Sequence, residues 1–258
     1  MSALLIHAGQ KRVSLDELKE LDASVKMKSK NIPYLRHYTI INQIKTKLEA
    51  LKQTYLKAVK HPEAIGNLWD FELDIAISKG GNTCMAIFQI EIQEESAENT
   101  VLVVCNSYGK GLKTRIFSGA FVPICTNMLF LMNNLFECQN CGEIHEKFMD
   151  FMSNFDSHVF DSNEGFLERI KNLQNCYISD QQIYEILGYL VICKDLPSGL
   201  IKDIWKEYKN PRHEQFKEPN PFNFLMAITE CLKMVNDIDR FVTLSKEVPS
   251  VLCDYFLN

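Results

Sequence analysis

The stretch FELDIAISKGGNTCMAIFQIEIQE, residues 71–94, contains two segments in which apolar and polar residues alternate. Residues 71–78 and 85–94 have the two-residue period of β-strands that bury one face. The Lys-Gly-Gly-Asn segment between them, 79–82, has the composition of a hairpin turn, because glycine accepts the positive φ that such turns need. The stretch therefore predicts an antiparallel hairpin.

Further strands and a long helix extend this hairpin into an α+β fold. VLVVCNSY and KTRIFSGAFV predict a third and a fourth strand. Residues 37–60 predict a helix because apolar residues recur three or four positions apart, at Ile40, Ile41, Ile44, Leu48, Leu51, Tyr55, Leu56 and Val59. We expect an antiparallel sheet with one buried face, covered by this long N-terminal helix. Ser14 and Glu17 have capping-box spacing for a short helix at 14–22.

The period changes to that of helices from about residue 124, where ICTNMLFLMNNLF lacks strict alternation. Helices are then predicted at 166–175, 180–193, 199–210, 220–235 and 239–256. Prolines separate several of these segments. We expect a mixed α+β domain at 1–160 and a helical region at 161–258 packed on it.

The net charge of −5 is unevenly distributed. Residues 1–60 hold twelve Lys/Arg against five Asp/Glu, whereas residues 61–258 hold sixteen against 28. The excess of basic residues in 1–60 indicates either a binding surface for a polyanionic ligand or an ordinary solvated helix face. Nine cysteines without an export signal, and no apolar run of transmembrane length, favour a cytoplasmic protein that does not enter a membrane.

The segment CQNCGEIH, residues 138–145, has the spacing of a metal site. Cys138 and Cys141 are arranged as CxxC, so both thiolates can reach one zinc ion, and His145 follows within a helical turn. A structural zinc takes four ligands, and His158, Cys125 or a partner chain would have to supply the fourth. The alternative is a pair of cysteines at the start of a helix without metal, so a structural zinc is the one cofactor that the sequence suggests.

A basic turn follows the third strand in NSYGKGLKTR, residues 106–115. It lacks the order of a phosphate-binding P-loop, and a β-turn explains its two glycines. The side chains of Lys110, Lys113 and Arg115 suit phosphate contacts, and Tyr108 suits base stacking. With Lys45 and Lys52 of the long helix, they form the predicted contact surface for nucleic acid or a nucleoprotein partner.

Two other groups of residues suggest chemistry less specifically. Glu91, Glu94 and Glu95 lie near a strand end and suit either a metal or plain solvation. In the segment 205–222, Trp205, Tyr208 and Arg212 suit contact with nucleic acid or a partner, or packing between helices. The sequence contains no Ser/His/Asp order and no HExxH motif, so no catalytic set is assigned.

Two separated motifs resemble a family of unknown function found on bacteriophages, plasmids and conjugative transposons. The residues that match the family pattern are Asn106, Ser107, Tyr108, Cys125, Thr126, Asn127, Ala227, Ile228, Thr229 and Glu230. Leu225 and Met226 depart from it, as does the segment 138–145. The resemblance implies a role in the DNA metabolism of mobile elements or interference with host defence. It also implies a remote similarity to single-strand annealing proteins, which place a helix over a curved antiparallel sheet and form rings.

These observations predict a non-enzymatic mobile-element protein that acts in DNA transactions by binding nucleic acid or a nucleoprotein complex. Self-association is left open. The alternative is a protein-binding inhibitor of a host defence complex, anti-CRISPR-like or anti-restriction-like, whose acidic body mimics nucleic acid. A third alternative is a metal-dependent enzyme that uses the strand-end carboxylates.

Overall fold

The computed structural model describes residues 10–24, 34–58, 69–78, 80–92, 99–108, 113–121, 133–140, 142–160, 164–235 and 237–257. These residues fall into two compact units. The sheet unit contains those within 9–119 and 134–161, and the helical unit contains those within 162–258 together with the strand ends 120–121 and 133. The sequence-based division into 1–160 and 161–258 stays a prediction about folding domains.

The sheet unit is built on an antiparallel sheet whose strands follow one another in chain order. The strands are β1 (Gln10–Arg12), β2 (Trp69–Ser78), β3 (Thr83–Ile92), β4 (Asn99–Ser107), β5 (Lys113–Phe121) and β6 (Asn133–Gln139). The predicted hairpin is β2–β3, in which Ile75 pairs with Ala86. Gly80 and Gly81 have φ values of 98° and 73°, as the turn requires. The antiparallel sheet and the mixed α+β class are confirmed.

One face of the sheet belongs to a hydrophobic cluster that also includes four helices. The helices are α1 (Leu15–Ser24), α2 (His37–Ala58), α3 (Ile144–Ser153) and α4 (Phe155–Phe160). Ile75 of β2, Phe88 of β3 and Leu102 of β4 lie on this face, and Ile44 of α2 and Phe148 of α3 belong to the same cluster. Every second residue of each strand lies on this face, which is why the alternation of apolar and polar residues predicted it.

The opposite face is buried as well, so the expectation of a single buried face was wrong for the central strands. Met85, Ile87, Val101, Val103 and Phe117 are at most 2% exposed. The sequence carries the reason, since VLVV at 101–104 is a continuous apolar run. Such runs are typical of strands that are buried on both faces.

The predicted helix beginning near residue 124 was wrong for its last four residues. Residues 133–136 belong to β6, which continues to Gln139, and the rest of that segment lies outside the described residues. A short apolar run does not distinguish a buried strand from a buried helix by period alone. Cys138 therefore lies in a strand rather than at the start of a helix.

The helical unit contains α5 (Glu164–Asn172), α6 (Asp180–Cys193), α7 (Ile201–Lys209), α8 (Pro221–Leu232) and α9 (Ile238–Leu257). Ser179 and Gln182 form a capping box at the start of α6, and Asn220 caps α8 ahead of a proline at its first position. Helix α8 contacts α7 and α9. Nearly every residue of α8 is buried, as expected for a helix that is apolar all round.

Candidate functional site

A buried polar cluster lies where β4 ends, β5 begins and α2 starts. We define it by Asp22, His37, Asn106, Tyr108 and Thr114. The side-chain amide of Asn106 donates to the carbonyl oxygen of Leu35 and to Nδ1 of His37, both at 2.8 Å. Its Oδ1 accepts a hydrogen bond from the Thr114 hydroxyl at 2.7 Å. Asn106 thus uses both of its amide hydrogens and its acceptor within the protein.

The other half of the cluster caps helix α2. The backbone N–H of His37 donates to the Tyr108 hydroxyl at 2.9 Å, and the backbone N–H of Tyr38 donates to Oδ2 of Asp22 at 2.7 Å. The Tyr108 hydroxyl itself donates to Oδ1 of Asp22 at 2.5 Å. These contacts satisfy N–H groups that have no partner inside the helix, and the carboxylate is favourable at its positive end.

Burial keeps the His37 and Tyr108 side chains of the cluster neutral. Burial lowers the pKa of His37 to about 4, against an opposing effect of the Asp22 carboxylate and of a hydrogen bond to the Gly81 carbonyl. Burial, and then its hydrogen bond to Asp22, raise the pKa of Tyr108. At neutral pH His37 is therefore an uncharged imidazole that accepts at Nδ1 and donates from Nε2 to the Gly81 oxygen 3.2 Å away.

The cluster joins segments that are far apart in the chain, and sequence reasoning missed three of its members, Asp22, His37 and Thr114. Tyr108 and Asp22 are 86 positions apart, and Asn106 and His37 are 69 apart. No local pattern marks such pairs. Asn106 and Tyr108, singled out for their resemblance to a family motif, hold the sheet to the start of α2. The geometry assigns them a structural role.

Tyr108 was predicted to stack on bases, and the structure shows what its ring contacts. The ring stacks on His37 with centroids 3.8 Å apart, and Tyr34 meets it edge to face at 5.0 Å. One side of the ring is therefore already covered within the protein. Base stacking by Tyr108 stays a prediction.

The predicted basic residues are divided between the two ends of the sheet. Lys52 of α2 contacts Asp70 at the start of β2, at 2.9 Å. Lys113 and Arg115 at the start of β5 both contact Glu137 of β6. In an antiparallel sheet the starts of β2 and β5 lie at opposite ends, roughly 25 Å apart for strands of this length.

Each described member of the predicted basic surface has a carboxylate partner. Lys45 pairs with Glu49 one helical turn away, and the partners of Lys52, Lys113 and Arg115 are those given above. Lys110 lies outside the described residues. The structure does not bring these side chains together, and their contact with nucleic acid stays a prediction.

The predicted zinc ligands are only partly described. Cys138 is buried in the hydrophobic cluster, and its thiol donates to the Gln139 carbonyl at 3.3 Å. His145 is exposed on α3, and Cys141 lies outside the described residues. Among the residues with described positions, no three His, Cys, Asp or Glu side chains are grouped so that they hold a metal ion. The Glu94 and Glu95 side chains also lie outside, as does that of Glu91.

Three buried thiols have pKa values that oppose nucleophilic chemistry. Burial raises the pKa of Cys84 well above its usual value, that of Cys231 to about 12 and that of Cys253 to about 11. The thiolate is the reactive form of cysteine. At neutral pH these three side chains are protonated and act as small apolar residues.

An exposed cationic and aromatic surface lies on α6 and α7. We define this α7 surface by Tyr184, Lys202, Trp205, Lys206 and Lys209. The rings of Tyr184 and Trp205 stack with centroids 4.8 Å apart and planes at 16°. Tyr184 is 58% exposed, and Lys209 lies over the Trp205 ring, 4.7 Å from its centroid. Among the described residues Lys202 and Lys206 have no ion-pair partner, and both are exposed.

The spacing within α7 explains why these side chains share one surface. Lys202, Trp205, Lys206 and Lys209 are separated by three or four positions, which places them on one stripe of the helix. Ile204 and Tyr208 are buried on the other side. Tyr208 therefore packs between helices, the second of the two alternatives that the sequence left open for it. The stripe was detectable by its period, but the stack with Tyr184 was not.

Arg212 and Glu230 form an ion-pair group beside α8. Arg212 contacts Glu230 at 2.9 Å and Glu207 at 3.2 Å, and Lys233 contacts Glu230 at 2.5 Å. Glu230 belongs to the second family-like motif, whose residues Ala227, Ile228 and Thr229 are buried in α8. This motif therefore lies in a packed helix. Cys125, Thr126 and Asn127 of the first motif lie outside the described residues.

Comparison with known protein families, curated proteins and solved structures gives no match for the chain. None of the helices with described residues is long and apolar enough to span a bilayer. The geometry of the residues themselves therefore carries the functional interpretation.

Proposed function

We propose that this protein is a non-enzymatic binder of single-stranded nucleic acid and that the α7 surface is its contact site. The observation that carries the proposal is the stacked pair of the exposed Tyr184 and the half-buried Trp205, which lies beside three lysines. Proteins that bind single strands without reading sequence combine aromatic rings, on which bases stack, with cations that contact the backbone.

The α7 surface fits this ligand better than the surface on α2 and β5. Lys202 and Lys206 are available to phosphates, whereas Lys45 and Lys52 already contact Glu49 and Asp70. A cation that must first leave a carboxylate gains less from a phosphate. Lys209, which contacts Asp180 at 2.5 Å, is held over Trp205 and supports the ring rather than the backbone of the ligand.

The proposal retains the wider role that the sequence resemblance implies, in DNA transactions of phage- or plasmid-type mobile elements. It also retains α2 as the cover of one sheet face. This arrangement is supported by the hydrophobic cluster that Ile40, Ile44 and Leu48 share with β2, β3 and β4. In this role the sheet unit is a scaffold, and a nucleic acid or a nucleoprotein complex is the partner.

The double variant Lys202→Gln/Lys206→Gln is expected to weaken binding to a fluorescein-labelled 15-nucleotide oligothymidine, measured by fluorescence anisotropy between 25 and 200 mM salt. Each phosphate contact on a single strand contributes ~0.7 to the slope of log affinity against log salt. Loss of two contacts is therefore expected to reduce the slope by about 1.4. Trp205→Ala is expected to cost about 1–3 kcal/mol of binding free energy through lost stacking.

The double variant Lys45→Gln/Lys52→Gln is the matched control, because it changes the net charge equally. It is expected to change both affinity and slope less than the α7 variant does. If Lys45→Gln/Lys52→Gln weakened binding more than the α7 variant does, the contact site would include Lys45 and Lys52 of α2 instead of the α7 surface. Failure of the unmodified protein to bind at ~50 mM salt, where several phosphate contacts give strong binding, would refute nucleic-acid binding altogether.

A further inference from the structure

The outer edge of β2 is paired along only part of its length. Strand β1 pairs with Ala76–Ser78, and the Val13 N–H donates to the Ile75 carbonyl at 3.0 Å before α1 begins at Leu15. Within the described ranges no strand pairs with this edge from Trp69 to Asp74. In an antiparallel strand every second residue directs its backbone groups to the same side. The backbone C=O group of Ile75 points towards β1, so the backbone N–H and C=O groups of Phe71 and Leu73 also point away from β3, along the outer edge of the sheet.

The hydrogen bonding at Phe71 agrees with an unpaired edge. Its backbone N–H donates to Oδ1 of the preceding Asp70 at 2.8 Å, a local substitute for the carbonyl of a neighbouring strand. An edge strand that presents free N–H and C=O groups is a template for one more strand. The backbone at Phe71 and Leu73 is therefore positioned to receive one.

A groove runs beside this edge, between α2 and β2. It has a volume of about 660 Å³ and is lined by Phe71, Leu73 and residues of α2 that include Lys45, Glu49 and Lys52. Phe71 and Leu73 are only partly buried and pack against the hydrophobic cluster. Apolar side chains on one side of an added strand would pack against Phe71 and Leu73, the two apolar residues of this mixed lining.

The other side of the same edge is acidic. Glu72 and Asp74 are two positions apart on β2, so their side chains share one face of the sheet, whereas the Asp70 carboxylate contacts Lys52 of α2. Asp74 contacts Arg12 of β1 at 2.8 Å, which shows how a basic side chain on a neighbouring strand meets this face. Glu72 is exposed and has no ion-pair partner in the part of the chain that the structure describes.

We propose that the outer edge of β2, Trp69–Asp74, is a strand-addition site for an extended segment of a partner protein that alternates Lys or Arg with apolar residues. Main-chain hydrogen bonds supply affinity in this mode of recognition, and alternate side chains supply specificity. A basic residue of the added segment meets Glu72, and its apolar residues meet Phe71 and Leu73. A second copy of this chain is disfavoured, because antiparallel pairing of two β2 edges opposes carboxylates to carboxylates. The site shares no residue with the α7 surface and adds a protein partner to the proposed function.

The test uses the full chain and a fluorescein-labelled heptapeptide that alternates Lys and Val, followed by fluorescence anisotropy at low salt. The peptide is expected to bind, and the same peptide with N-methyl groups on alternate residues is expected to lose binding where the methyls block hydrogen bonds to β2. Glu72→Lys is expected to weaken the Lys-Val peptide about fivefold and to strengthen a Glu-Val peptide. Glu20→Lys, an equal charge change at an exposed position of α1, is expected to alter neither by as much as twofold.

Three outcomes would overturn the proposal. One is equal binding of the N-methylated and unmodified peptides in both methylation registers. Another is the same response to Glu72→Lys as to Glu20→Lys, which would reduce the effect to overall charge. The third is a dimer, measured by sedimentation, that Glu72→Lys strengthens, because the edge would then belong to a second copy.

Discussion

The variant Asn106→Ala is expected to lower the free energy of unfolding of the sheet unit by about 3 kcal/mol. The substitution leaves the Leu35 carbonyl, Nδ1 of His37 and the Thr114 hydroxyl without their partner in a buried site. Each buried polar group left unsatisfied costs about 1–3 kcal/mol, and the three costs are not fully additive. The loss is large because one side chain serves three segments of the chain.

Denaturant unfolding followed by tryptophan fluorescence measures this loss in the unit concerned. The chain has two tryptophans, Trp69 in β2 and Trp205 in α7. In a Trp205→Phe background, the one remaining tryptophan belongs to β2 of the sheet unit. Asn134→Ala, at an exposed position of β6, is the matched control and is expected to change stability by less than about 0.5 kcal/mol. Equal stabilities of the two variants would show that the buried polar cluster does not stabilise the fold.

The second large effect is a loss of stability on acidification that depends on His37. Its pKa is lowered by burial to about 4 in the folded protein, against about 6.5 in an unfolded chain. Above pH 6.5 both states are neutral at this position, and stability is fully present. As the pH falls from 6.5 towards 4, the unfolded state binds a proton that the folded state does not, so stability decreases. The loss is about 2 kcal/mol by pH 5 and about 3 kcal/mol by pH 4.

Unfolding free energies of the unmodified chain and of His37→Gln, measured at pH 7 and pH 5, isolate this contribution. Glutamine does not titrate, so its variant is expected to lose about 2 kcal/mol less between the two pH values. The carboxylates, including Asp22 beside His37, are present in both proteins. Identical pH dependence in the two proteins would mean that His37 is protonated equally in the folded and unfolded states.

The features that the sequence predicted correctly are those formed by residues close together in the chain. The helix at the start of the chain was predicted from Ser14 and Glu17, and the structure forms both hydrogen bonds of their capping box, at 2.7 and 3.1 Å. The β2–β3 hairpin was predicted from two alternating segments around two glycines. These features depend on residues within a few positions of each other, and their pattern is visible in the chain.

Candidate sites were predicted less well, because the charge of a side chain does not reveal its partner. Lys113 and Arg115 were predicted to contact phosphates, and in the structure both contact Glu137. The pattern of α7 was visible in Lys202, Trp205, Lys206 and Lys209, but its ring partner Tyr184 lies on another helix. The cationic stripe was thus available from the sequence, and its aromatic pair was not.

The sequence by itself determined the α+β class, the hairpin and the apolar face of α2, because burial imposes a period on neighbouring residues. Tertiary structure alone decided that residues 133–139 form a strand, that the central strands are buried on both faces and that Asn106 contacts His37. The spacing of apolar residues indicates that a side chain is buried, but it does not identify the residues that pack against it. A hydrogen bond between residues 69 positions apart exists only once the fold has brought them together.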